Sequence, residues 1–434
     1  MKYRTLSGPV SVQVEITEAC NLNCMHCYNH WRDESEKQRA SSLDEVKLNS
    51  IVEMIVEMKA ASVTLTGGEP LLRWRILPTA IKKLMSAGMN VGLNSNLTLL
   101  TDEIATALKA SGLKGFLVSV LCSQEDVHDS IAGRVGAWED TIKGIKLAKS
   151  HGFRISSNMV LTKLNWRYLR ETAEFLKGIG VSSFCATKAS PSLNARNFDQ
   201  YLLSRDELRA SLEELIQIRT SLGMAVDIQE CYPLCLIGDT AKFESFARRS
   251  CSAGVTTCTI SPTGDVRPCS HADMVYGNVF REPFNDVWAR MDDWRDGRYV
   301  PDECNACKFL ERCTGGCRME AKHRGDIRGK DPFMSGPEDV LYSIGPKHEH
   351  APPAQEKFHL NKPLKIRKEN FGATVITPAG SALINEDGLR ILQGLLQESI
   401  FTVDSAATRF SSKPDNMRKF LLGLVRRGVV RAVS

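Results

Sequence analysis

Between Val12 and Gln229 short β-rich runs alternate six times with amphipathic helical stretches. The runs are "VQVEI" (12–16), "SVTLT" (62–66), "MNVGLNSN" (89–96), "GFLVSVL" (115–121), "FRISSNMVLT" (153–162) and "VSSFCATKA" (181–189). Helical patterns separate them, with expected boundaries at a Ser42-x-x-Glu45 capping box, a Thr101 N-cap and stops at Gly88 and Gly112. Such alternation with short connections demands a parallel sheet covered by helices. Six units fall short of a closed eightfold barrel. The expected fold is therefore α/β, a partial (β/α)6 TIM-type barrel over residues 1–230. Its ligands belong at the carboxyl ends of the strands. Three loops gather there: "CNLNCMHCY" after the first strand, "GGEP" after the second and "SNLT" after the third.

Cysteine placement divides the rest of the chain. Of 14 cysteines, twelve fall within 20–27, 231–269 and 304–317, and none follows Cys317. The N-terminus lacks an apolar segment with a small-residue cleavage site, and no apolar run of about 18 residues occurs. The expected location is the cytoplasm, without a membrane partner. Clustered cysteines in a reducing compartment read as metal or catalytic groups rather than disulfides. A net charge of +5 over 434 residues is too small to argue for nucleic acid. Residues 231–344, poor in periodic segments and rich in Cys, Gly and Pro, read as a metal-built domain. Residues 345–360 read as a linker. Residues 361–434 read as a small α+β, winged-helix-like unit: β-runs "GATVIT" and "SALI", then three helical patterns, the last with Pro414 at its start and Gly428 at its end.

Cys20, Cys24 and Cys27 could hold zinc, close a disulfide or bind an iron–sulfur cluster. Structural zinc wants four closed ligands, and His26, inside the loop beside Cys27, is badly placed as a fourth. Three thiolates on an iron–sulfur cube leave one iron open.

"CNLNCMHCY" resembles the CxxxCxxC motif of the radical SAM family, and "GGEP" resembles that family's segment for the amino group of S-adenosylmethionine (SAM). The resemblance implies a 4Fe–4S cluster on Cys20, Cys24 and Cys27 whose open iron chelates SAM, with Gly67, Gly68, Glu69 and Pro70 beside it. "SNLTLL" resembles the TNGT-like strand end and implies a pocket role for Asn96, otherwise a turn residue. "VSVLCSQ" resembles the SLDG-containing strand end and implies Ser119 as a contact to the SAM carboxylate or ribose. The family's arginine falls at Ala132 here, so Arg134 is either its substitute or a surface residue. Cys122 and Cys185 read as inert buried thiols.

Cys304-x2-Cys307-x5-Cys313-x3-Cys317, preceded by Cys251, Cys258 and Gly264-x4-Cys269, resembles the SPASM domain. That implies two auxiliary 4Fe–4S clusters, making three in all. Cys251, Cys258, Cys269 and Cys317 would ligate the first, and Cys304, Cys307 and Cys313 the second. The family closes the second cluster with a cysteine where this chain has Met334. The expectation is a three-cysteine cluster, with Asp331 as a candidate fourth ligand, or with Cys231 or Cys235 of "CYPLC" entering. The C-terminal unit resembles PqqD-like peptide-recognition domains, which bind a leader peptide as an added strand; the alternative is a DNA-binding winged helix, disfavoured by the apolar pattern of "DNMRKFLLGLVRR".

Together the resemblances imply a radical SAM oxidoreductase that matures a ribosomally made (RiPP) precursor peptide by a crosslink, fed by a donor such as flavodoxin or ferredoxin. The alternatives are a radical SAM oxidase or decarboxylase acting on a small molecule, and an iron–sulfur redox or DNA-binding regulator. Ser270, where sulfatase-maturing relatives have an acidic residue after the cysteine matching Cys269, argues against that activity.

Overall fold

The structure is a computed structural model that describes residues 3–29, 40–191, 198–341, 357–377 and 380–433. Seven parallel strands form its centre: β1 (Ser11–Thr17), β2 (Ser62–Gly67), β3 (Asn90–Ser95), β4 (Gly115–Ser119), β5 (Arg154–Leu161), β6 (Ser183–Lys188) and β7 (Ala225–Asp227). They pair in sequence order, with Val12 opposite Val63 and Val63 opposite Val91. The two-residue period of a strand sorts their side chains. Val12, Val14, Val63, Leu65, Leu93, Phe116 and Val118 face the helical layer and are buried. Thr66, Asn94, Leu117, Ser119, Asn158 and Val160 point the other way, into the barrel.

Helices α1 (Glu45–Glu57), α2 (Leu77–Ser86), α3 (Asp102–Ala110), α4 (Glu125–Ala132), α5 (Ala137–Ser150), α6 (Leu169–Gly178) and α7 (Arg205–Leu222) connect the strands. In α1 the spacing Leu48, Ile51, Val52, Ile55 presents one apolar stripe to the sheet. The expected Ser42 capping box is not formed. Ser42 Oγ is 2.6 Å from Thr17 Oγ1, tied to the end of β1. The helix starts later, capped by Asp44, which accepts from Lys47 N at 2.8 Å. Thr101 caps α3 as expected.

The cysteine-rich region is not a separate core. Its strands β8 (Thr257–Ile260), β9 (Asp265–Arg267) and β10 (Gly277–Asn278) extend the barrel sheet to ten strands, with β8 parallel to β1. Helices α8 (Leu234–Ile237), α9 (Glu244–Ala247), α10 (Phe284–Ala289), α11 (Leu310–Cys313) and α12 (Arg318–His323) surround them. Leu236, Phe246, Trp288 and Met291 join the same apolar cluster as the barrel residues. Trp288 Nε1 donates to Leu6 O at 2.8 Å.

The C-terminal unit has its own core. It contains β11 (Lys357–Leu360), β12 (Lys365–Glu369), β13 (Gly372–Thr377), β14 (Gly380–Asn385), α13 (Glu386–Leu395), β15 (Phe401–Thr402), α14 (Val403–Arg409), α15 (Pro414–Arg426) and β16 (Val430–Val433). The sequence reading put residues 357–360 in the linker. They are instead the central strand of the β15–β11–β16 sheet, because Phe358 and Leu360 fill the core. Residues 345–356 of that linker lie outside the described residues. In α15, Met417, Leu421 and Leu424 turn inward. The unit docks at the amino ends of the barrel strands: Arg367 donates to Gly8 O and Pro9 O, both at 2.7 Å, and Glu369 accepts from Ser7 N at 2.7 Å.

Candidate functional site

A cavity of about 200 Å³ opens at the carboxyl ends of the strands, lined by Cys20, Cys24 and Cys27 together with Gly67, Gly68, Glu69, Asn96 and Ser119. Loop and "GGEP" are joined by backbone. Gly68 N donates to Thr17 O at 2.6 Å and Glu69 N to Ala19 O at 2.9 Å. This contact explains the glycines: Gly67 has φ +119°, and a Cβ on Gly68 would lie 2.0 Å from Ala19 O.

Glu69 is buried at the cavity wall. Its Oε1 accepts from Leu71 N (2.9 Å) and Ser95 Oγ (2.7 Å), and its Oε2 from Asn96 N (2.9 Å). Burial pushes its pKa up against the pull of these bonds. Each oxygen has two lone pairs, so Oε2 retains acceptor capacity. Asn96 also holds the cysteine loop: its Nδ2 donates to Asn21 Oδ1 at 3.0 Å. Pro70 opens the following helical turn and is not among the cavity's lining residues. Arg134 lies outside the lining too. Its guanidinium pairs with Asp140 at 2.8 Å, both side chains about a third exposed.

Several contributors escaped the sequence reading. Helix α4, eight residues without a side-chain cap, grips the loop from below: Asn23 N donates to Ala132 O and Met25 N to Ile131 O, both at 3.0 Å. Buried His128 accepts from Leu121 N through Nδ1 at 3.2 Å, and burial drives its pKa down to about 4. Asn158 enters from β5, and only the inward parity of that strand could have flagged it. Tyr28 stacks on His271, and Asn29 Nδ2 donates to Gly67 O at 3.2 Å.

The donor set fits an iron–sulfur cube better than a lone ion. Among the described residues no three His, Cys, Asp or Glu side chains converge as a single-ion site. A cube spreads its thiolates over separate irons and needs them to share one cavity wall, as these three do.

A second cavity, of about 210 Å³, is lined by Cys231, Cys251, Cys258, Cys269 and Cys317. Cys304, Cys307, Cys313 and Cys235 form a neighbouring group. Asp331 does not reach that group as a free carboxylate: its Oδ2 accepts from Cys317 N at 2.8 Å and its Oδ1 from Phe333 N at 3.0 Å. Met334 packs against Val300, Cys304 and Leu310. Between barrel and cysteine groups lies buried Lys188, paired with Glu230 at 2.9 Å and with Glu320. Burial alone would lower its pKa, but the two carboxylates outweigh it and hold the ammonium charged. Glu15 and Arg267 make a second buried pair, at 2.5 Å, joining β1 to the strand before Cys269.

Residues 14–176 match the radical SAM superfamily and residues 251–308 the SPASM iron-sulfur cluster-binding domain. Among relatives, the AdoMet-dependent heme synthase of Methanosarcina barkeri is 25% identical, over 75% of this chain and 96% of that protein. The PqqA peptide cyclase of Gluconobacter oxydans is 25% identical, over 81% and 95%. In fold the chain is similar to Streptococcus suis SuiB bound to its precursor peptide SuiA: TM-score 0.63, 18% identity, 75% of this chain and 76% of that one. No helix among the described residues is long and apolar enough to cross a membrane.

Proposed function

We propose that this chain, a radical SAM protein with a SPASM domain, modifies a ribosomally made precursor peptide by forming a crosslink. The observation that carries the radical chemistry is the single cavity uniting the three loop thiols with Glu69 and the "GGEP" backbone. Cys20, Cys24 and Cys27 would hold a 4Fe–4S cluster, which together with SAM would supply the radical chemistry that removes a hydrogen atom.

The chain's own residues bind and orient. Glu69, with its remaining acceptor capacity, would receive the SAM ammonium as a charge-assisted bond. Asn96 and Ser119 line the same wall, and Asn96 holds the cysteine loop in register with it. Two auxiliary clusters in the cysteine-rich region would take up the electron released on bond formation, and a flavodoxin- or ferredoxin-like donor would supply the first one.

The peptide reading is supported by the C-terminal unit and by the relative named as a peptide cyclase. Strand β14 pairs with β13, and its other edge has no strand partner among the described residues. An extended leader could add there. Anaerobic reconstitution with SAM and dithionite should yield 5′-deoxyadenosine; its absence would exclude the radical reading altogether. Co-expression with a short neighbouring reading frame should yield a peptide lighter by two hydrogens. The heme synthase match favours one second reading, a small-molecule substrate. Turnover without any peptide bound by residues 357–433 would select it.

A further inference from the structure

The segment Cys231-Tyr-Pro-Leu-Cys235 runs from the end of β7 into α8, and both thiols are buried. The Cys231 side chain lies beside Cys251 and Cys317. All three line the second cavity with Cys269. Four residues on, the surroundings change. Leu234 N donates to Cys313 Sγ at 3.3 Å, and Ser335 N donates to Cys235 Sγ at 3.4 Å. Cys235 also neighbours Cys304 and Cys313. Pro233, with φ −55° and ψ 136°, is extended rather than helical and carries the chain from one group to the other.

We infer that this segment bridges the two auxiliary centres, Cys231 completing a four-thiol set with Cys251, Cys269 and Cys317, and Cys235 completing another with Cys304, Cys307 and Cys313. The inference rests on the reading that both centres hold iron–sulfur clusters. It gives the second centre four cysteines where the spacing pattern alone predicts three, and it leaves Asp331 and Met334 as neighbours rather than ligands. It also makes Cys258 the spare thiol of the second cavity. Cys258 sits on β8 opposite Val12, fully buried in the shared sheet, with Arg295 as its charged neighbour. Four residues of chain span at most about 14 Å, so the bridge limits how far apart the centres can lie.

The test uses the full chain with Cys20, Cys24 and Cys27 changed to alanine, so that only auxiliary iron is counted. After anaerobic reconstitution this background should hold about eight irons and eight sulfides. Cys231→Ala and Cys235→Ala should each lose up to about four irons. Cys258→Ala should lose none and keep the same electron paramagnetic resonance spectrum. If an alanine variant precipitates, the serine variant decides, since a serine ligand shifts the signal and potential of one cluster. Unchanged iron and spectra in the Cys231 and Cys235 variants, or iron loss in Cys258→Ala, would overturn the bridge. A background holding no more than about four irons would instead overturn the two-cluster reading, and the bridge with it.

Discussion

The ring of Tyr28 lies on the ring of His271, centroids 4.4 Å apart and planes 12° from parallel. Tyr28 follows Cys27 directly, and His271 stands two residues after Cys269. One aromatic contact thus ties the loop of the first cavity to the edge of the second. Stacked rings couple by roughly 0.5–1.5 kcal/mol beyond their buried area. A double-mutant cycle of Tyr28→Leu and His271→Leu, read by denaturant unfolding, should return a coupling in that range. Strict additivity would mean that the two cavities are joined by other contacts.

Gly68→Ala should be far more damaging than its size suggests. The added methyl carbon would lie 2.0 Å from Ala19 O, a backbone atom just ahead of Cys20, and the loop would have to move. We expect loss of about four irons and of 5′-deoxyadenosine formation, with the C-terminal unit still folded. Iron analysis of purified protein checks this. Wild-type iron content would show that loop and "GGEP" are less tightly joined than their backbone bonds require.

His128 sets an acid limit on stability. Its pKa falls from 6.5 to about 4 on burial, since Nδ1 must stay unprotonated to accept from Leu121 N. Between these values the unfolded chain binds a proton that the folded chain does not, so stability drops as pH falls from about 6.5 to about 4. The full effect is on the order of 3 kcal/mol. His128→Asn offers an uncharged acceptor near the same place. It should flatten that part of the stability–pH curve, measured by denaturant midpoints. An unchanged slope would assign the acid sensitivity to other groups.

Arg367 clamps the C-terminal unit to the barrel through Gly8 O and Pro9 O, and pairs with buried Glu369 at 2.8 Å. Arg367→Ala leaves that carboxylate buried and unpaired, a loss of about 3–5 kcal/mol. Limited proteolysis should then release a fragment beginning near residue 357, whereas SAM cleavage in the absence of peptide should persist. Intact resistance to protease would indicate that other contacts carry the docking.

The barrel was legible because its signals are local. Strand parity, helix stripes and caps such as Thr101 act over a few residues, and short-range sterics decide them. The three-cysteine loop and "GGEP" were legible for the same reason. Helix α4 was not, since eight residues without a capping side chain leave little pattern. Ser42 misled because its hydroxyl had a better partner in Thr17, a residue 25 positions away.

The sequence by itself determined the period of the sheet, the cavity end of each strand and which residues carry thiols. Only the tertiary structure decided which thiols share a cavity. Spacing describes neighbours along one segment, but the two cysteine groups beyond the loop draw on separate segments whose approach depends on β8 pairing with β1 and on the turn at Pro233. Buried packing and backbone pairing set that approach, so Cys231 joins Cys251 and Cys317 across stretches of 20 and 86 residues that no local pattern connects.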